Sequence, residues 1–587
     1  MLRKIILLIN ISLLANFFAI LPAHSSVSVE TTYVGSASLP TEISILGLPD
    51  AKNEFDPKSA LVIASITCPD GRVIKTQAFW FQNFAMSSNG GVASTMRSGD
   101  PAWRVRFAPL IAGQYQLSFE ALIDGVKISI PNHSVTAAAP TDPKVRTSGV
   151  SFVKGGKPFV PIAYNISWAN RFEEIAKYER WFSKASASGV NVARVWMASW
   201  SLGIEWTDTG LGDYSKRLDR AWLLDQVFII AAKYGVGIQL VLINHGAFST
   251  STNPEWYSNP YNSSNGGPIA NAALFATDEI AWGFWKQRLQ YIIARYSAYS
   301  SLFTWEWWNE VNYTPINSND LKTWIEKSDN ILKEWDPYNT LTTNSWSGGA
   351  SLQDWENLDY AVTHVYDPSD PIKSLTVQAE AIRKTVPDNP ILVGEMGSGS
   401  VTEDPFADPR GLHLHNAHWA ATFVGFAGPA SYWWWDTYVD PLELWGHTKG
   451  LTKLTSGLDV ATMKTDRLLG IPNATTLTLS SANTTLAWIR HNNFDRSAKT
   501  QLLLEAAIES LRTKKKIKTV FPDPVSQGGN INMPVNGAGV YSISFLNTFT
   551  GKEILKQKAT STGNLLKIKV PKFTGDISVR VDKVVGS

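Results

Sequence analysis

Two glutamates close two short apolar runs: Glu310 after Phe303-Thr304-Trp305-Glu306-Trp307-Trp308-Asn309, and Glu395 after Ile391-Leu392-Val393-Gly394. A carboxyl group at the end of a buried strand is costly unless that end opens into a polar cleft. Two such ends meeting at one cleft would supply the paired carboxylates that glycosidic-bond hydrolysis uses. Their surroundings differ. Glu310 follows three tryptophans, whose apolar walls would raise its pKa and keep the proton a general acid needs. Asn309 beside it can hydrogen-bond a sugar hydroxyl next to the reacting carbon. Glu395 lies between Gly394 and Gly397, which allow close approach of backbone or substrate. As a nucleophile it must stay ionised, which calls for donors such as Arg194 and Tyr366.

Arg194 stands in an otherwise apolar run, Val192-Ala193-Arg194-Val195. Buried, it requires a carboxylate partner, and Glu395 and Glu310 are the candidates. His245 and His364 could orient either carboxylate or bind sugar hydroxyls, although a lone histidine is more often a satisfied interior residue. His413, His415 and His418, with His447 nearby, form no HExxH or Cys/His pattern, and their spacing does not put all three on one helical face. No metal and no cofactor is expected. Gly397-Ser398-Gly399 has the wrong frame for a serine nucleophile elbow.

These residues need a scaffold, and residues 149–465 alternate short apolar strands with amphipathic helices. Eight strands are expected, at Phe159–Ile166, Val190–Ala198, Gly237–His245, Phe303–Glu310, Thr340–Trp346, Leu358–Tyr366, Pro390–Met396 and Pro429–Asp436. Helices are expected between most of them, among them Arg220–Tyr234, Asp278–Tyr296, Leu321–Trp335 and Arg410–Phe426. Eight such units fit a closed (β/α)8 TIM barrel. An open doubly wound sheet would announce itself by a glycine-rich phosphate loop, which is missing. Barrels of this kind work at the C-terminal ends of their strands. Those ends here carry Asn165 and Trp168, Arg194, His245, Asn309 with Glu310, His364 with Tyr366, Glu395, and Trp433-Trp434-Trp435-Asp436.

The flanks read as β structure, making the chain multidomain. Residues 27–140 alternate in the manner of a β-sandwich, as in Leu61–Ile66 and Trp103–Phe107, and end in the linker Ala137–Pro143. Residues 470–587 return to strand patterning and predict a second, C-terminal β-sandwich. The cluster Lys514-Lys515-Lys516-Ile517-Lys518 reads as a solvated strand edge.

The chain has 587 residues, enough for several cores, and 24 tryptophans concentrated between Trp168 and Trp445. Tryptophan favours surfaces with one apolar face and one wet edge, and sugar rings offer flat C–H faces to match. Residues 1–25 read as an export signal: Arg3 and Lys4, an apolar stretch from Ile5 to Leu21, and small residues around a cleavage point near Ser25. A membrane anchor is the competing reading. Without Arg3 and Lys4, basic and acidic residues balance, which offers nothing to nucleic acid or to an anionic membrane. Cys68, the single cysteine, excludes intrachain disulfides and reads as a packed strand residue. The expected location is secreted, periplasmic or at the cell surface.

Taken in order, these pieces resemble the clan A glycoside hydrolases and are most similar to family 5, the cellulase and mannanase-like enzymes. The resemblance rests on Trp308-Asn309-Glu310, His364-Val365-Tyr366, Gly394-Glu395 and the Trp433–Trp435 run, with Arg194 and His245 completing the set. It covers about residues 149–450. The flanks are similar to an immunoglobulin-like domain and a β-sandwich of multidomain bacterial relatives. The resemblance implies a retaining double displacement on a β-linked poly- or oligosaccharide, with Glu310 as acid/base and Glu395 as nucleophile. It implies that Asn309 binds the sugar 2-hydroxyl, that Arg194 and Tyr366 hold the nucleophile, and that His364 assists. Trp434 or a neighbour would floor a sugar subsite, and the carboxyl groups would stand about 5–5.5 Å apart. The long Gly246–Asp278 connection departs from the pattern and would shape a cleft closed at one end, favouring exo action. Two alternatives share the residues: a transglycosylase that remodels an exported polysaccharide, and a non-catalytic carbohydrate-binding protein with a degenerate barrel. The sugar and the oligomeric state are left open.

Overall fold

The computed structural model describes residues 26–89, 92–348, 357–403, 406–516 and 521–584. The expected export signal at 1–25 lies outside them. No helix among the described residues is long and apolar enough to cross a membrane.

The central region is a parallel array. Five strands run in the order Ala163–Asn165, Val192–Trp196, Gly237–Asn244, Leu302–Asn309 and Leu341–Thr343, and three more in the order Ser345–Ser347, Ala361–Tyr366 and Ile391–Gly397. Nearly every residue of these strands is buried, as expected where helices cover the sheet. Three expected strands differ in detail. The first is reduced to Ala163–Asn165, because Pro158 and Pro161 withhold ladder donors and Lys157–Phe159 joins a separate antiparallel sheet. The fifth breaks into two at Asn344, whose side-chain Oδ1 accepts the Trp308 N–H (3.0 Å). The eighth, expected over Pro429–Asp436, is not a strand. Tyr432 alone makes parallel bridges, to Tyr164 on one side and Met396 on the other, and the chain coils into a helical turn at Trp435–Val439. The two ends of the array thus meet through one residue.

Helices Leu218–Tyr234, Glu279–Tyr296, Ser318–Trp335 and Leu412–Phe423 fall near the expected positions, joined by Glu174–Ser186 and Pro371–Thr385. Their ends follow local chemistry. Asp278 caps one helix by accepting from Ile280 N and Ala281 N, Asp370 caps another ahead of Pro371, and Gly235 (φ 65°) ends a third.

Residues 28–137 form antiparallel sheets. One contains Thr41–Leu46 and Ala102–Phe107, another Ala60–Thr67 and Gly113–Ile123, and Ile43, Ile45, Val105, Val62, Ile66 and Leu117 share a core that also buries Cys68. This unit is bolted to the parallel array by buried charge. Arg106 pairs with Glu42 (2.6 Å) and Asp225 (2.6 Å) and donates to the Arg295 carbonyl (2.9 Å), while Arg295 holds the same Asp225. Removing one member of such a set strands a charge, at a cost of about 3–5 kcal/mol.

Residues 464–583 contain a six-stranded antiparallel sheet whose middle strands are Thr484–His491 and Asp576–Lys583. The all-β expectation fails here at one place: Arg496–Thr513 is a helix, capped by Asp495 accepting from Ala498 N (2.8 Å). Its run Leu502–Leu511 consists largely of helix formers. Lys514 (φ 57°), Lys515 and Lys516 follow its C-terminus, where positive charge complements the helix dipole, so they do not guard a strand edge. Ile517 and Lys518 lie outside the described residues.

Candidate active site

Arg194 is the centre of the site. It is 1% exposed and spends its donors on several partners. Nε and Nη2 make a two-bond pair with Glu306 (2.7 Å each), Nη1 reaches Glu395 Oε1 (2.6 Å), and Nη2 also donates to Asn309 Oδ1 (2.6 Å). Glu306 is fully buried and is held as well by Gln239 Nε2 (2.7 Å). Against the upward push of burial, the arginine pulls the Glu306 carboxyl below its ordinary pKa. The expected pairing of Arg194 with Glu310 does not occur; the missing partner was Glu306. Its signal was present in Trp305-Glu306-Trp307: an acid in the middle of a buried strand requires a partner as much as Arg194 does. Glu306 and Glu310 are four residues apart, so strand alternation gives both the same parity as Thr304.

Glu395 owes its position to a bulge. In the pairing of Ala361–Tyr366 with Ile391–Gly397 the register skips Gly394, setting Glu395 opposite His364. A Cβ on Gly394 would lie 2.3 Å from Val362 Cγ1, so any larger residue there would force the strand or Val362 to shift. Fully buried Asn165 donates from Nδ2 to the Gly394 carbonyl (2.8 Å) and accepts from Arg194 at Oδ1 (3.2 Å). The Tyr366 hydroxyl donates to Glu395 Oε2 (2.5 Å).

Glu310 sits just past the end of its strand at φ 45°, a left-handed conformation that bulky residues rarely adopt. Its N–H is held by Ser345 Oγ (3.0 Å). The carboxyl faces two histidines: Oε1 is 2.9 Å from His364 Nδ1 and Oε2 is 3.4 Å from His245 Nδ1. Because Arg194 fixes the Asn309 amide, Asn309 Nδ2 donates to His245 Nδ1 (2.9 Å), which makes that nitrogen an acceptor. Burial lowers the pKa of both rings, that of His364 to about 4, so both are neutral at neutral pH.

One oxygen of Glu310, one of Glu395 and a ring nitrogen of His364 all lie within 4.8 Å of one another. Burial raises both carboxyl groups above the usual range, and the charge of Glu310 adds to the rise at Glu395. The two are not equivalent. Glu395 has the direct Arg194 and Tyr366 donors that favour its ionised form, and Glu310 touches no arginine. Among the described residues these same three side chains form the one group that could hold a metal ion; Arg194 already places a cation against Glu395.

Trp168 meets Trp196, Trp433 and Trp435 with ring centroids 4.9–5.6 Å apart. Of the tryptophan run, Trp435 is buried, whereas Trp433 and Trp434 keep exposed surface. Trp434 Nε1 donates to the Gly399 carbonyl (3.0 Å), and Trp433 packs on Trp196, over whose ring Arg194 lies. The histidines set aside as metal ligands have structural partners instead. His413 meets Tyr432 and Asp367, His415 meets Asp576, and His418 lies between Tyr164 and Ala430. The Gly246–Asp278 connection is packed: Phe248 and Phe275 bury their rings against Trp308.

No family model matches the chain. It is similar to mannan endo-1,4-beta-mannosidase 7 of Arabidopsis thaliana (26% identical over 187 residues, 30% of this chain and 42% of that protein). Mannan endo-1,4-beta-mannosidase A of Aspergillus aculeatus is 24% identical over 221 residues, 36% of this chain and 55% of that protein. The chain spans about half the length of the curated relatives it matches. Among solved structures, a provisionally assigned glycoside hydrolase from Bacteroides vulgatus superposes with a TM-score of 0.60 at 12% identity, covering 93% of this chain and 98% of that one. That likeness is one of fold.

Proposed function

We propose that the protein is an exported retaining β-glycoside hydrolase, with Glu395 as nucleophile and Glu310 as acid/base. The observation that carries this reading is that an oxygen of Glu310 lies within 4.8 Å of one of Glu395, together with the unequal donors of the two carboxyl groups. Retaining enzymes hold their carboxyls about 5–5.5 Å apart, whereas inverting ones leave about 6.5–9.5 Å for a water. In this reading the two parallel runs joined at Tyr432 are the wall of one closed (β/α)8 barrel, flanked by an immunoglobulin-like β-sandwich and a C-terminal one. Residues 1–25 are the signal removed on export.

In the first step Glu395 attacks the anomeric carbon while the proton of Glu310 passes to the departing glycosidic oxygen, leaving a glycosyl ester on Glu395. Glu310, now ionised, takes a proton from water, whose oxygen attacks the same carbon and frees Glu395. Arg194 and Tyr366 keep Glu395 ionised beforehand. Neutral His364 lies against both carboxyls and adds no charge. Asn309 Nδ2 retains an N–H beyond the one given to His245, available to a sugar 2-hydroxyl. Trp433 and Trp434 offer faces on which a pyranose can lie.

The mannanase relatives make β-1,4-mannan the first substrate to test, with cellulose, galactan and xylan beside it. Product release followed by chromatography, and the anomeric configuration of the first product by NMR, test the reading. A β-anomer from a β-linked substrate is expected. An α-anomer would replace retention by inversion, and no product from any β-glycan would remove the enzymatic reading.

A further inference from the structure

The loops that follow the Tyr366 and Glu395 strands are both held by residues of the C-terminal unit. Between Tyr366 and the helix Pro371–Thr385 lie only Asp367, Pro368, Ser369 and Asp370. Arg490, in strand Thr484–His491, is 2% exposed and grips the Asp370 carboxylate with two bonds (3.0 and 2.5 Å). Its strand is paired on both sides, Arg490 with Thr475 and with Asp576, so the guanidinium is mounted on a rigid support. Ser497 Oγ donates to the Pro368 carbonyl (3.3 Å). His413 Nε2 lies 2.8 Å from the Asp367 carbonyl. After Glu395, the N–H and hydroxyl of Ser398 donate to buried Glu403, as does the Tyr432 hydroxyl, and Arg496 stands 3.8 Å from the same carboxylate. Arg490, Arg496 and Ser497 thus reach both loops from one neighbouring unit.

We propose that the C-terminal unit is a positioning element of the active site, in which Arg490, through Asp370, and Ser497, through Pro368, hold the segment that presents the Tyr366 hydroxyl to Glu395. This rests on the catalytic reading above. The physical argument is geometric. A hydrogen bond weakens steeply as it lengthens and tilts, and the four-residue loop is tied at one point to a rigid sheet by Arg490 and at a second to the first turn of helix Arg496–Thr513 by Ser497. A two-bond arginine–carboxylate contact fixes direction as well as distance. A role in holding the units together would equally employ Arg490, but it would not tie Arg490 to the ionisation of Glu395.

The test uses the full chain. Arg490→Gln removes the grip from one side and Asp370→Asn from the other; asparagine keeps the helix cap that Asp370 provides by accepting from Ile372 N (3.1 Å). Each is expected to lower kcat/KM about tenfold, chiefly in kcat. Each should also move the acid limb of the pH profile upward by about half a unit, because a weaker Tyr366 bond favours protonated Glu395. In a Tyr366→Phe background Arg490→Gln should cost nothing further. Hydrogen exchange of the Tyr366–Ile372 segment, read separately from activity, should quicken in Arg490→Gln and Asp370→Asn. Unchanged exchange and an unchanged pH profile in both, or an equal loss in the Tyr366→Phe background, overturns the proposal. An inactive wild-type chain whose segment still loosens overturns the catalytic reading and leaves the positioning contact standing.

Discussion

Arg194 and Glu306 form a two-bond ion pair at 2.7 Å, and the remaining nitrogen of Arg194 donates to Glu395 (2.6 Å). The pair settles where the arginine charge is aimed. With Nε and half of Nη2 committed to Glu306, Nη1 is left pointing at Glu395, and Glu310 has no direct contact with the guanidinium. That asymmetry gives two carboxyl groups of the same residue type different surroundings: burial raises both, but only Glu395 has direct arginine and tyrosine donors.

Glu306→Gln should therefore impair turnover although Glu306 touches neither carboxyl. It leaves the guanidinium with one fewer anchor and more of its charge free to Glu395. The expected result is a kcat loss of about 10–100-fold, with stability lower by about 3 kcal/mol, checked by steady-state kinetics and denaturant unfolding. Wild-type kcat in this variant would show that Arg194 needs no anchor.

Glu395→Ala should abolish turnover, with azide restoring it on an activated aryl glycoside and giving the α-glycosyl azide. A small anion enters the space of the lost carboxylate and attacks from the same face. Product NMR reads the outcome, and a β-azide would move the nucleophile elsewhere.

Glu310→Ala should behave differently. Glycan cleavage should fall by about 10³-fold or more, while aryl glycosides with acidic leaving groups, which need little protonation, keep glycosylation rates near wild type. The wild-type profile of kcat/KM should be bell-shaped. Its basic limb belongs to Glu310, whose pKa burial raises, and that limb should vanish in the variant.

Gly394→Ala places a methyl group 2.3 Å from Val362 Cγ1. The bulge must shift, taking Glu395 with it. Stability should drop by about 1–3 kcal/mol and kcat by about 100-fold, since a displacement near 1 Å costs that much. A fully active alanine variant would mean that the bulge does not set the nucleophile.

Acid should destabilise the fold through its buried histidines. His418, between Tyr164 and Ala430, has its pKa lowered from 6.5 to about 3 by burial. The unfolded chain thus binds a proton that the folded chain refuses, so stability is full above pH 6.5 and is lost as pH falls toward 3. The loss amounts to about 4 kcal/mol at the low end. Thermal melting from pH 7 to 4 should show a declining Tm with a shallower slope in His418→Gln. An equal slope in both would clear His418 of the effect.

The sequence by itself determined where most of the buried strands end and which charged and polar residues stand there. Glu310, Glu395 and Arg194 stand out because charge at the end of, or within, an apolar run must be compensated, and that rule acts on composition and spacing alone. Four helices of the parallel array were legible too, two of them marked by the local signals Asp278 and Gly235, whereas the helix Arg496–Thr513 was not expected. The partner each charge takes is a different matter. Whether Arg194 meets Glu310 or Glu306 depends on which side chains share a layer across non-adjacent strands, and no local pattern encodes that. The same holds for the eighth strand, reduced to a bridge at Tyr432, for the histidines 413, 415 and 418 spent on structural partners, and for Arg490 reaching the loop after Tyr366 from the far C-terminal sheet. Only the tertiary structure decides such pairings, because they join segments distant in the chain whose meeting is fixed by packing rather than by their own sequence.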